Sequence, residues 1–330
     1  MTIDLRSVVT DKQLLDELEY YFRFATAAYG WRGALFYGRM YLDDYCQLAE
    51  LTGLKRSDIV LAKWSSETKQ PAYYIARDAE HNSIVLAVRG TLTLKDVLTD
   101  FCASTINFDE RGKGQGGKYR AHSGMVDAAA HIASKAGDIV KNELNANPEY
   151  KLVIVGHSLG GGVAAIITAM WQRRFRDRIR SIGYGNPCIF SLDLTKAFDN
   201  LISVEARGDR VATLSLGHLA DTTKAVSKLC RDRGMRNEIL KRLGNSHTVS
   251  RDDIAWCSNT MMILRKQMNS EKLYPPGTIY QASGSGSGVV LSCTDASVFG
   301  ELKLIINMVE LVRRHWAPHY AMLLRASVGK

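Results

Sequence analysis

The chain has 330 residues, of which 46% are hydrophobic and 23% charged, and its formal net charge is +9. This composition is typical of a soluble globular enzyme, and no apolar run approaches the roughly 18 to 20 residues that cross a bilayer. The first residues lack the basic-then-apolar pattern of a signal peptide, so we expect a cytoplasmic protein without a transmembrane helix. The six cysteines include no C-x-x-C pair, which argues against a zinc site and a disulfide framework.

The first predicted elements are two helices and a strand pair. Apolar residues at helical spacing predict helices over 11–28 and 42–54. Two runs rich in apolar and β-branched residues predict strands over 72–77 and 83–89, joined by a polar turn. The glycine-rich polar stretch 109–120 then interrupts regular structure.

The most informative motif comes near the middle of the chain, after a predicted helix over 124–144. Residues 156–161 have the sequence Gly-His-Ser-Leu-Gly-Gly, and they stand between an apolar strand over 150–155 and a buried helix over 162–170. A Gly-x-Ser-x-Gly between a strand and a helix indicates a nucleophile elbow, a strained turn that exposes the serine. We therefore predict Ser158 as the nucleophile of an acyl-transfer enzyme.

The elements after the elbow continue the alternation of strands and helices. They are strands over 181–185 and 201–206, a basic helical region over 221–270, a strand pair near 277–293 and a terminal helix near 303–326. This alternation predicts an α/β-hydrolase fold with a mostly parallel central sheet flanked by helices. We expect an N-terminal helical extension over 1–70, packed on a catalytic domain over 71–330.

A serine nucleophile needs a base and an acid that orients the base, and in α/β-hydrolases the three follow in the order Ser, Asp, His. Asp209 follows the second strand beyond the elbow, at the position expected of the acid. Asp193 and Asp199 lie on the connection between those two strands, and Asp221 lies in the basic helical region. These positions favour Asp209.

The base is harder to assign from spacing. The histidines after Asp209 are His218, His247, His315 and His319. His218 is too close in sequence to reach the site from a separate strand end, and His247 precedes a helix that it can cap. Pro318 disfavours a helical residue before it, which places His315 in a loop. The spacing leaves both His315 and His319 open.

The oxyanion of acyl transfer needs two backbone N–H donors. The residue after the nucleophile, Leu159, is expected to supply one, and Thr91 at the end of an earlier strand the other. This chemistry needs neither a cofactor nor a metal ion, so we predict none.

Assembled in this order, the motifs resemble those of the class 3 lipase family, and within it the sn-1-specific diacylglycerol lipases of the soluble plant-type branch. The matching stretches are 88–100, 121–125, 155–161, 208–211, 272–277 and 315–320. The Tyr-Pro-Pro-Gly segment at 274–277 points to the diacylglycerol-lipase branch. The resemblance implies a glycerolipid substrate, most directly diacylglycerol, and a peripheral association with membranes.

The resemblance also implies His315 as the base, because Pro318 and Tyr320 follow it at the family's spacing. The chain departs from the family at Arg314, where an acidic residue is common, and after the acid segment. The triad does not distinguish headgroups, so a phospholipase A1 or galactolipid acyl hydrolase is the alternative. The stretch 109–120 is a candidate lid over the acyl groove.

The excess positive charge is concentrated in two segments, 173–180 and 224–242. Such segments suit an anionic membrane surface, where each cation contributes about 1 kcal/mol. The apolar residues within the second segment also suit a calmodulin-type partner, which leaves a non-catalytic membrane scaffold as an alternative from another class. No aromatic-basic interleaving accompanies the charge, so we expect no nucleic acid partner.

Overall fold

The computed structural model describes residues 8–34, 43–67, 69–91, 104–109, 112–113, 119–245, 249–284, 289–300 and 313–329. The strands in chain order are β1 (Ile59–Lys63), β2 (Tyr73–Asp78), β3 (Ser83–Val88), β4 (Thr105–Asp109), β5 (Gly112–Lys113), β6 (Tyr119–His122), β7 (Lys151–His157), β8 (Ile179–Tyr184), β9 (Leu201–Ala206), β10 (Thr278–Ser283) and β11 (Val290–Thr294). The longer helices are α1 (Lys12–Ala27), α2 (Asp44–Thr52), α3 (Ser123–Ala146), α4 (Leu159–Phe175), α5 (Leu216–Arg231), α6 (Arg233–Asn245), α7 (Arg251–Lys266) and α8 (Ala317–Val328). Single-turn helices lie at Trp31–Ala34 and Leu192–Thr195.

The central sheet has eight strands in the order β1-β2-β3-β7-β8-β9-β10-β11. From β3 to β10 all neighbours are parallel, and β1, β2 and β11 pair antiparallel at the two edges. The prediction of a mostly parallel sheet flanked by helices is therefore confirmed. Because the carboxyl ends of parallel strands share one edge, the residues that follow β3, β7, β8 and β9 are brought together there.

The sheet is covered on both faces, and β7 shows how its sequence allows this. Leu152 and Ile154 pack into a core formed with α3 and α4. Val153 and Val155 point the opposite way, into a second core formed with α1 and α8. A nearly continuous apolar run is expected of a parallel strand that is buried on both faces. The strand thus reaches the elbow held rigidly from both sides.

The N-terminal part of the chain lies against the second of these cores. Helix α1 begins at the N-cap Asp11, and buried tyrosines of the sheet donate to two of its carbonyls, Tyr184 to Leu18 at 2.6 Å and Tyr74 to Phe24 at 2.9 Å. One part of the predicted extension over 1–70 was assigned wrongly. Residues 59–63 form the edge strand β1, because their β-branched and apolar side chains suit pairing with β2.

The stretch 109–120 was predicted to be irregular, but its described residues 109, 112–113 and 119–120 belong to the strands of a small second sheet with the order β5-β4-β6. Phe108 of β4 is fully buried in the first core, which anchors this sheet to the domain. Residues 110–111 and 114–118 lie outside the described residues, so the candidate lid stays a prediction.

The basic helical region predicted over 221–270 consists of α5, α6 and α7, which are inserted between β9 and β10. Of the predicted terminal helix, the structure describes α8, and residues 301–312 lie outside the described residues. None of the helices within the described residues has a stretch that is long and apolar enough to cross a membrane.

Candidate active site

Ser158 occupies the turn between β7 and α4, at the carboxyl edge of the sheet. Its backbone has φ +60° and ψ −132°, a region that non-glycine residues rarely adopt. The surrounding structure maintains this strained conformation, since the Ser158 amide donates to the Tyr184 carbonyl on β8 at 2.8 Å. The predicted elbow is therefore present as a geometry, and the side chain of Ser158 is turned out of the sheet.

The glycines on either side of Ser158 are required by close backbone contacts. A Cβ atom at Gly156 would lie 2.3 Å from the carbonyl carbon of Gly160. A Cβ atom at Gly160 would lie 2.2 Å from the carbonyl oxygen of Val88. Both distances are far below any van der Waals contact, and the neighbours are backbone atoms that cannot move aside. The turn can form only because these two positions have no side chain.

The structure brings three of the predicted side chains into one hydrogen-bonded line. The Ser158 hydroxyl lies 2.8 Å from His315 Nε2, and His315 Nδ1 lies 2.8 Å from Asp209 Oδ2. A carboxylate can only accept, so Nδ1 carries the proton and the neutral ring offers the Nε2 lone pair to the serine O–H. All three residues are buried. The arrangement can transfer a proton from Ser158 to His315.

Of the two histidines left open by spacing, His315 contacts Ser158. Residues 313–315 form a helical turn, not the predicted loop, and the extended Trp316 separates this turn from α8. Pro318 is accommodated in the first turn of α8, where its missing N–H has no intrahelical partner to lose. His319 is also in that turn, and its amide donates to the Trp316 carbonyl at 2.9 Å.

Asp209 follows β9 and is fixed by several donors. The Val211 amide donates to Oδ1 at 2.8 Å, and the Tyr320 hydroxyl donates to Oδ2 at 2.7 Å. Burial opposes the charge on this carboxylate, but the attraction of His315 and the hydrogen bonds from His315, Tyr320 and Val211 outweigh it and hold the pKa of Asp209 below its usual range. The acid is therefore ionised at neutral pH.

The role of Tyr320 was not predicted from the sequence. Its hydroxyl both donates to Asp209 and accepts from the Ala206 amide at 3.0 Å, so it ties α8 to the end of β9. The only sequence signal was its spacing from His315, which marked the family pattern without indicating a partner. Tyr320 is a positioning residue for the carboxylate.

The predicted oxyanion donors lie on two segments that meet beside Ser158. Leu159 is the first residue of α4, whose N-terminus directs its partial positive charge towards the serine. Gly90 follows β3 and packs against the elbow, since a Cβ atom there would lie 3.1 Å from the Ser158 Cβ. Thr91 comes next in the chain and is half-buried. The proximity of this loop to Ser158 agrees with Thr91 as a donor, which stays a prediction.

Several arginines of the basic segment 173–180, whose charge suggested a membrane contact, have partners within the protein. Arg174 pairs with Asp138 at 2.9 Å, Arg178 donates to carbonyls at the end of α3, and Arg180 forms an ion pair with Glu17. The segment begins in the last turn of α4, about 25 Å along the helix from Ser158. A membrane bound there would face away from the serine, and the contact of 173–180 with an anionic membrane stays a prediction.

No group of three or more His, Cys, Asp or Glu side chains within the described ranges is placed to hold a metal ion.

Comparison with known proteins places this geometry in a family context. The profile of the family described as Lipase (class 3) matches residues 85–218, which include most of β3, the elbow and Asp209. Diacylglycerol lipase-beta of Mus musculus is 26% identical over 244 residues, covering 65% of this chain and 36% of the mouse protein. The secreted mono- and diacylglycerol lipase 1 of Fusarium solani is 26% identical over 172 residues, covering 52% of this chain and 49% of the fungal protein. The chain thus spans well under two thirds of either relative.

Solved structures show the same fold at low sequence identity. The lipase from Rhizopus microsporus var. chinensis aligns with a TM-score of 0.58 and 15% identity over 93% of this chain and 87% of that protein. The triacylglyceride lipase of Rhizomucor miehei aligns with a TM-score of 0.56 and 14% identity over 97% of this chain and 99% of that protein. The predicted α/β-hydrolase fold and the resemblance to class 3 lipases are confirmed, and the prediction of a carboxylic ester hydrolase is supported.

Proposed function

We propose that this relative of the class 3 lipases is a serine lipase that hydrolyses a fatty-acyl ester of a glycerolipid, with diacylglycerol as its substrate. The observation that carries the proposal is the line from Ser158 through His315 to Asp209, with both hydrogen bonds at 2.8 Å and the serine in a strained elbow. A serine activated by a histidine and a buried carboxylate is suited to attack an ester carbonyl.

In the first half of the reaction, His315 Nε2 takes the hydroxyl proton as Ser158 Oγ bonds to the acyl carbon. The amides of Leu159 and Thr91 stabilise the oxyanion that develops on the carbonyl oxygen. Asp209 stabilises the imidazolium, and the Tyr320 hydroxyl holds that carboxylate in place. The imidazolium then protonates the departing glycerol oxygen as the ester bond breaks, which leaves an acyl group on Ser158.

In the second half, His315 removes a proton from a water molecule, and the water oxygen bonds to the acyl carbon. The same donors stabilise the second oxyanion. The bond to Ser158 then breaks, the serine regains its proton from His315, and the free fatty acid leaves. The enzyme returns to its starting state, with the proton on the Ser158 hydroxyl and a neutral His315.

The test is the loss of this chemistry when the nucleophile is removed. We expect a fluorophosphonate probe to label the wild-type protein at Ser158, and Ser158→Ala to lose both labelling and ester hydrolysis, the latter by up to about 10⁶-fold. Ser191→Ala is a matched control, because Ser191 lies outside the site and its hydroxyl accepts from the Arg120 amide. Hydrolysis at the wild-type rate by Ser158→Ala would refute the proposal.

The substrate headgroup requires a separate measurement, because the triad acts on the ester and not on the headgroup. Diacylglycerol is favoured by the names of the relatives, which include diacylglycerol lipases and a mono- and diacylglycerol lipase. Vesicles that contain diacylglycerol, phospholipid and galactolipid together would be incubated with the protein, with Ser158→Ala as the control. Lyso-phospholipid or lyso-galactolipid as the main product would favour a phospholipase A1 or galactolipid acyl hydrolase.

The insertion α5–α7 is the part of the chain that we propose to meet the membrane, within the predicted segment 224–242. Leu240 and Leu243 on α6 are 61% and 76% exposed, and Arg236 lies on the same face of that helix. Exposed leucines beside exposed cations suit the boundary between acyl chains and anionic headgroups. The insertion begins at the carboxyl end of β9, shortly after Asp209, and so leaves the sheet at the edge that carries Ser158.

A non-catalytic role of the same insertion, as a scaffold or a calmodulin-type target, is the alternative from another class. The two readings differ in what they require of Ser158. A scaffold has no need of a reactive serine, so a protein that binds vesicles and is not labelled by a fluorophosphonate would favour it. Labelling together with vesicle binding would favour a lipase that associates peripherally with the membrane.

A further inference from the structure

The residue before the nucleophile, His157, has a buried ring that the mechanism above does not use. Its Nε2 lies 2.9 Å from the main-chain carbonyl oxygen of His315, and its Nδ1 lies 2.9 Å from the Tyr29 hydroxyl. A carbonyl oxygen can only accept, so Nε2 carries the proton. In the neutral ring Nδ1 then accepts, and the Tyr29 O–H donates to it. The direction of both hydrogen bonds is therefore fixed.

The ring of His157 is neutral at neutral pH. Burial, together with the nearby His315, lowers the pKa of His157 to about 3, because the Asp209 carboxylate and the hydrogen bond to the His315 carbonyl oppose this shift only in part. Tyr29 and Tyr320 are the other titratable side chains around the ring. Neutrality matters because a second positive charge beside His315 would make that residue a weaker base.

His157 also contacts the face of the base directly. The two imidazole rings are stacked with their centroids 4.9 Å apart and an angle of 29° between their planes. The Tyr320 ring packs edge-on against the His157 ring, with the two ring centroids 5.5 Å apart. His315 is thus held at its nitrogens by Ser158 and Asp209, and at its face and main chain by His157.

Tyr29 comes from the N-terminal part of the chain, just after α1. It is 2% exposed, and its hydroxyl would lie 2.4 Å from a Cβ atom at Gly90. Gly90 directly precedes the predicted oxyanion donor Thr91. The Tyr29 hydroxyl therefore contacts His157, which packs against the base, and also the loop that contains the predicted oxyanion donor.

We propose that Tyr29 and His157 form a positioning relay that holds the base His315 in register with Ser158, so that the N-terminal region is part of the catalytic apparatus. The relay rests on the proposed function, because it requires His315 to act as the base. Without the Tyr29 hydroxyl, Nδ1 loses its donor and the proton can move to it from Nε2. The Nε2 lone pair would then face the His315 carbonyl oxygen, and the main chain of the base would lose its anchor.

The test measures the hydrolysis of a soluble short-chain ester, p-nitrophenyl butyrate, and the rate constant of fluorophosphonate labelling at Ser158. We expect Tyr29→Phe to lower kcat and the labelling rate by roughly 3- to 10-fold, the net value of one buried hydrogen bond, with KM unchanged. Tyr21→Phe is a matched control. It removes another buried hydroxyl from the same N-terminal region, bonded to Ser83 at 3.0 Å, and should leave both rates unchanged.

Substitutions of His157 give a second measurement. His157→Leu removes both hydrogen bonds, and we expect it to lower kcat by about 10- to 100-fold because the His315 carbonyl is left unpaired in a buried site. His157→Gln keeps an amide N–H at about the reach of Nε2, so it should recover part of this loss. A role confined to folding predicts no such recovery in kcat at matched thermal stability.

The outcomes separate the relay from the function on which it rests. A wild-type protein that the probe does not label at Ser158 overturns the proposed function and the relay with it. A labelled wild-type protein whose rate is the same in Tyr29→Phe overturns the relay alone. A loss of kcat in Tyr29→Phe that Tyr21→Phe does not share, with partial recovery in His157→Gln, supports it.

Discussion

The carboxyl edge of the sheet and the insertion α5–α7 are stabilised in opposite ways. At the sheet edge, Ser158, His315 and Asp209 are buried, and each polar atom of the line between them has a partner at hydrogen-bonding distance. In the insertion, Leu243 and Ile254 are exposed by 76% and 61%. The chemistry proposed for the first region depends on the positions of single atoms. The membrane binding proposed for the second depends on the total hydrophobicity and charge of a surface.

Ion pairs within the insertion hold its helices together and leave its apolar surface exposed. Arg242 of the insertion contacts Asp252 and Asp253 at 2.9 and 2.7 Å and covers the Trp256 ring, which ties α6 to α7 without burying the exposed face of α6. We therefore expect substitutions at the sheet edge to change the chemical step on any ester. Substitutions in the insertion should change only reactions that take place at a membrane.

The largest effect is expected from Asp209→Asn at the sheet edge. The amide keeps the shape of the side chain but has no charge, so it is a weaker acceptor for His315 Nδ1–H. The tautomer with the proton on Nε2, which cannot accept from Ser158, is therefore favoured. We expect kcat on a soluble ester to fall by roughly 10⁴-fold. Asp193→Asn, at one of the positions weighed against Asp209, should leave the rate unchanged. A loss of less than tenfold in Asp209→Asn would show that another group orients the base.

The next largest effect is expected from Gly160→Ala, measured as the free energy of unfolding. The new methyl would meet the Val88 carbonyl oxygen at 2.2 Å, so the strand and the elbow would have to separate, at a cost of about 3 kcal/mol or more. Gly53→Ala is the control, since Gly53 has φ +75° with nothing near its Cβ position and should cost only about 1–2 kcal/mol. Equal losses in both variants would mean that the elbow tolerates a side chain.

These two sites also show how much the sequence could predict. The elbow and Asp209 follow from local features, a glycine pattern and a strand end, which constrain the backbone wherever they occur. Tyr29 could not be found in this way. It meets His157 across 128 positions of sequence, and a buried tyrosine after an amphipathic helix resembles an ordinary core residue. The base was fixed only by the resemblance, because His315 and His319 are one helical turn apart.

The intramolecular contacts of the basic segment 173–180 could not be predicted for a related reason. A count of charges does not reveal which arginines have intramolecular acceptors, and the carbonyls that Arg178 contacts at the end of α3 belong to a different part of the chain. The helices and the parallel strands of the central sheet were predicted because their periodicity is local, whereas β1 and the strands of the small second sheet were not predicted. Contacts between side chains that are distant in sequence required the structure.

A smaller effect, confined to membranes, is expected from Leu240→Ser combined with Leu243→Ser. Each leucine that enters the acyl region contributes up to about 1.5–3 kcal/mol, so the pair should weaken binding to anionic vesicles by tenfold or more. Hydrolysis of vesicle lipid should fall in parallel, and hydrolysis of p-nitrophenyl butyrate should stay unchanged. Met322→Ser, which alters an exposed apolar residue on α8, is the control for a general loss of surface hydrophobicity. A drop in soluble-ester hydrolysis would mean that the insertion shapes the site itself.

The smallest effect is expected from single charges, and it compares the two basic segments directly. Lys241→Gln should weaken binding to vesicles that contain anionic lipid by about fivefold, the equivalent of about 1 kcal/mol, and raising the salt concentration should abolish the difference. Arg176→Gln removes an equally exposed cation from the far end of the molecule and should leave vesicle binding unchanged. The two variants carry the same change in net charge, so a difference between them reports the orientation of the protein on the membrane. Equal losses in both would indicate a diffuse electrostatic attraction without a preferred face, and the insertion would then have no special place at the bilayer.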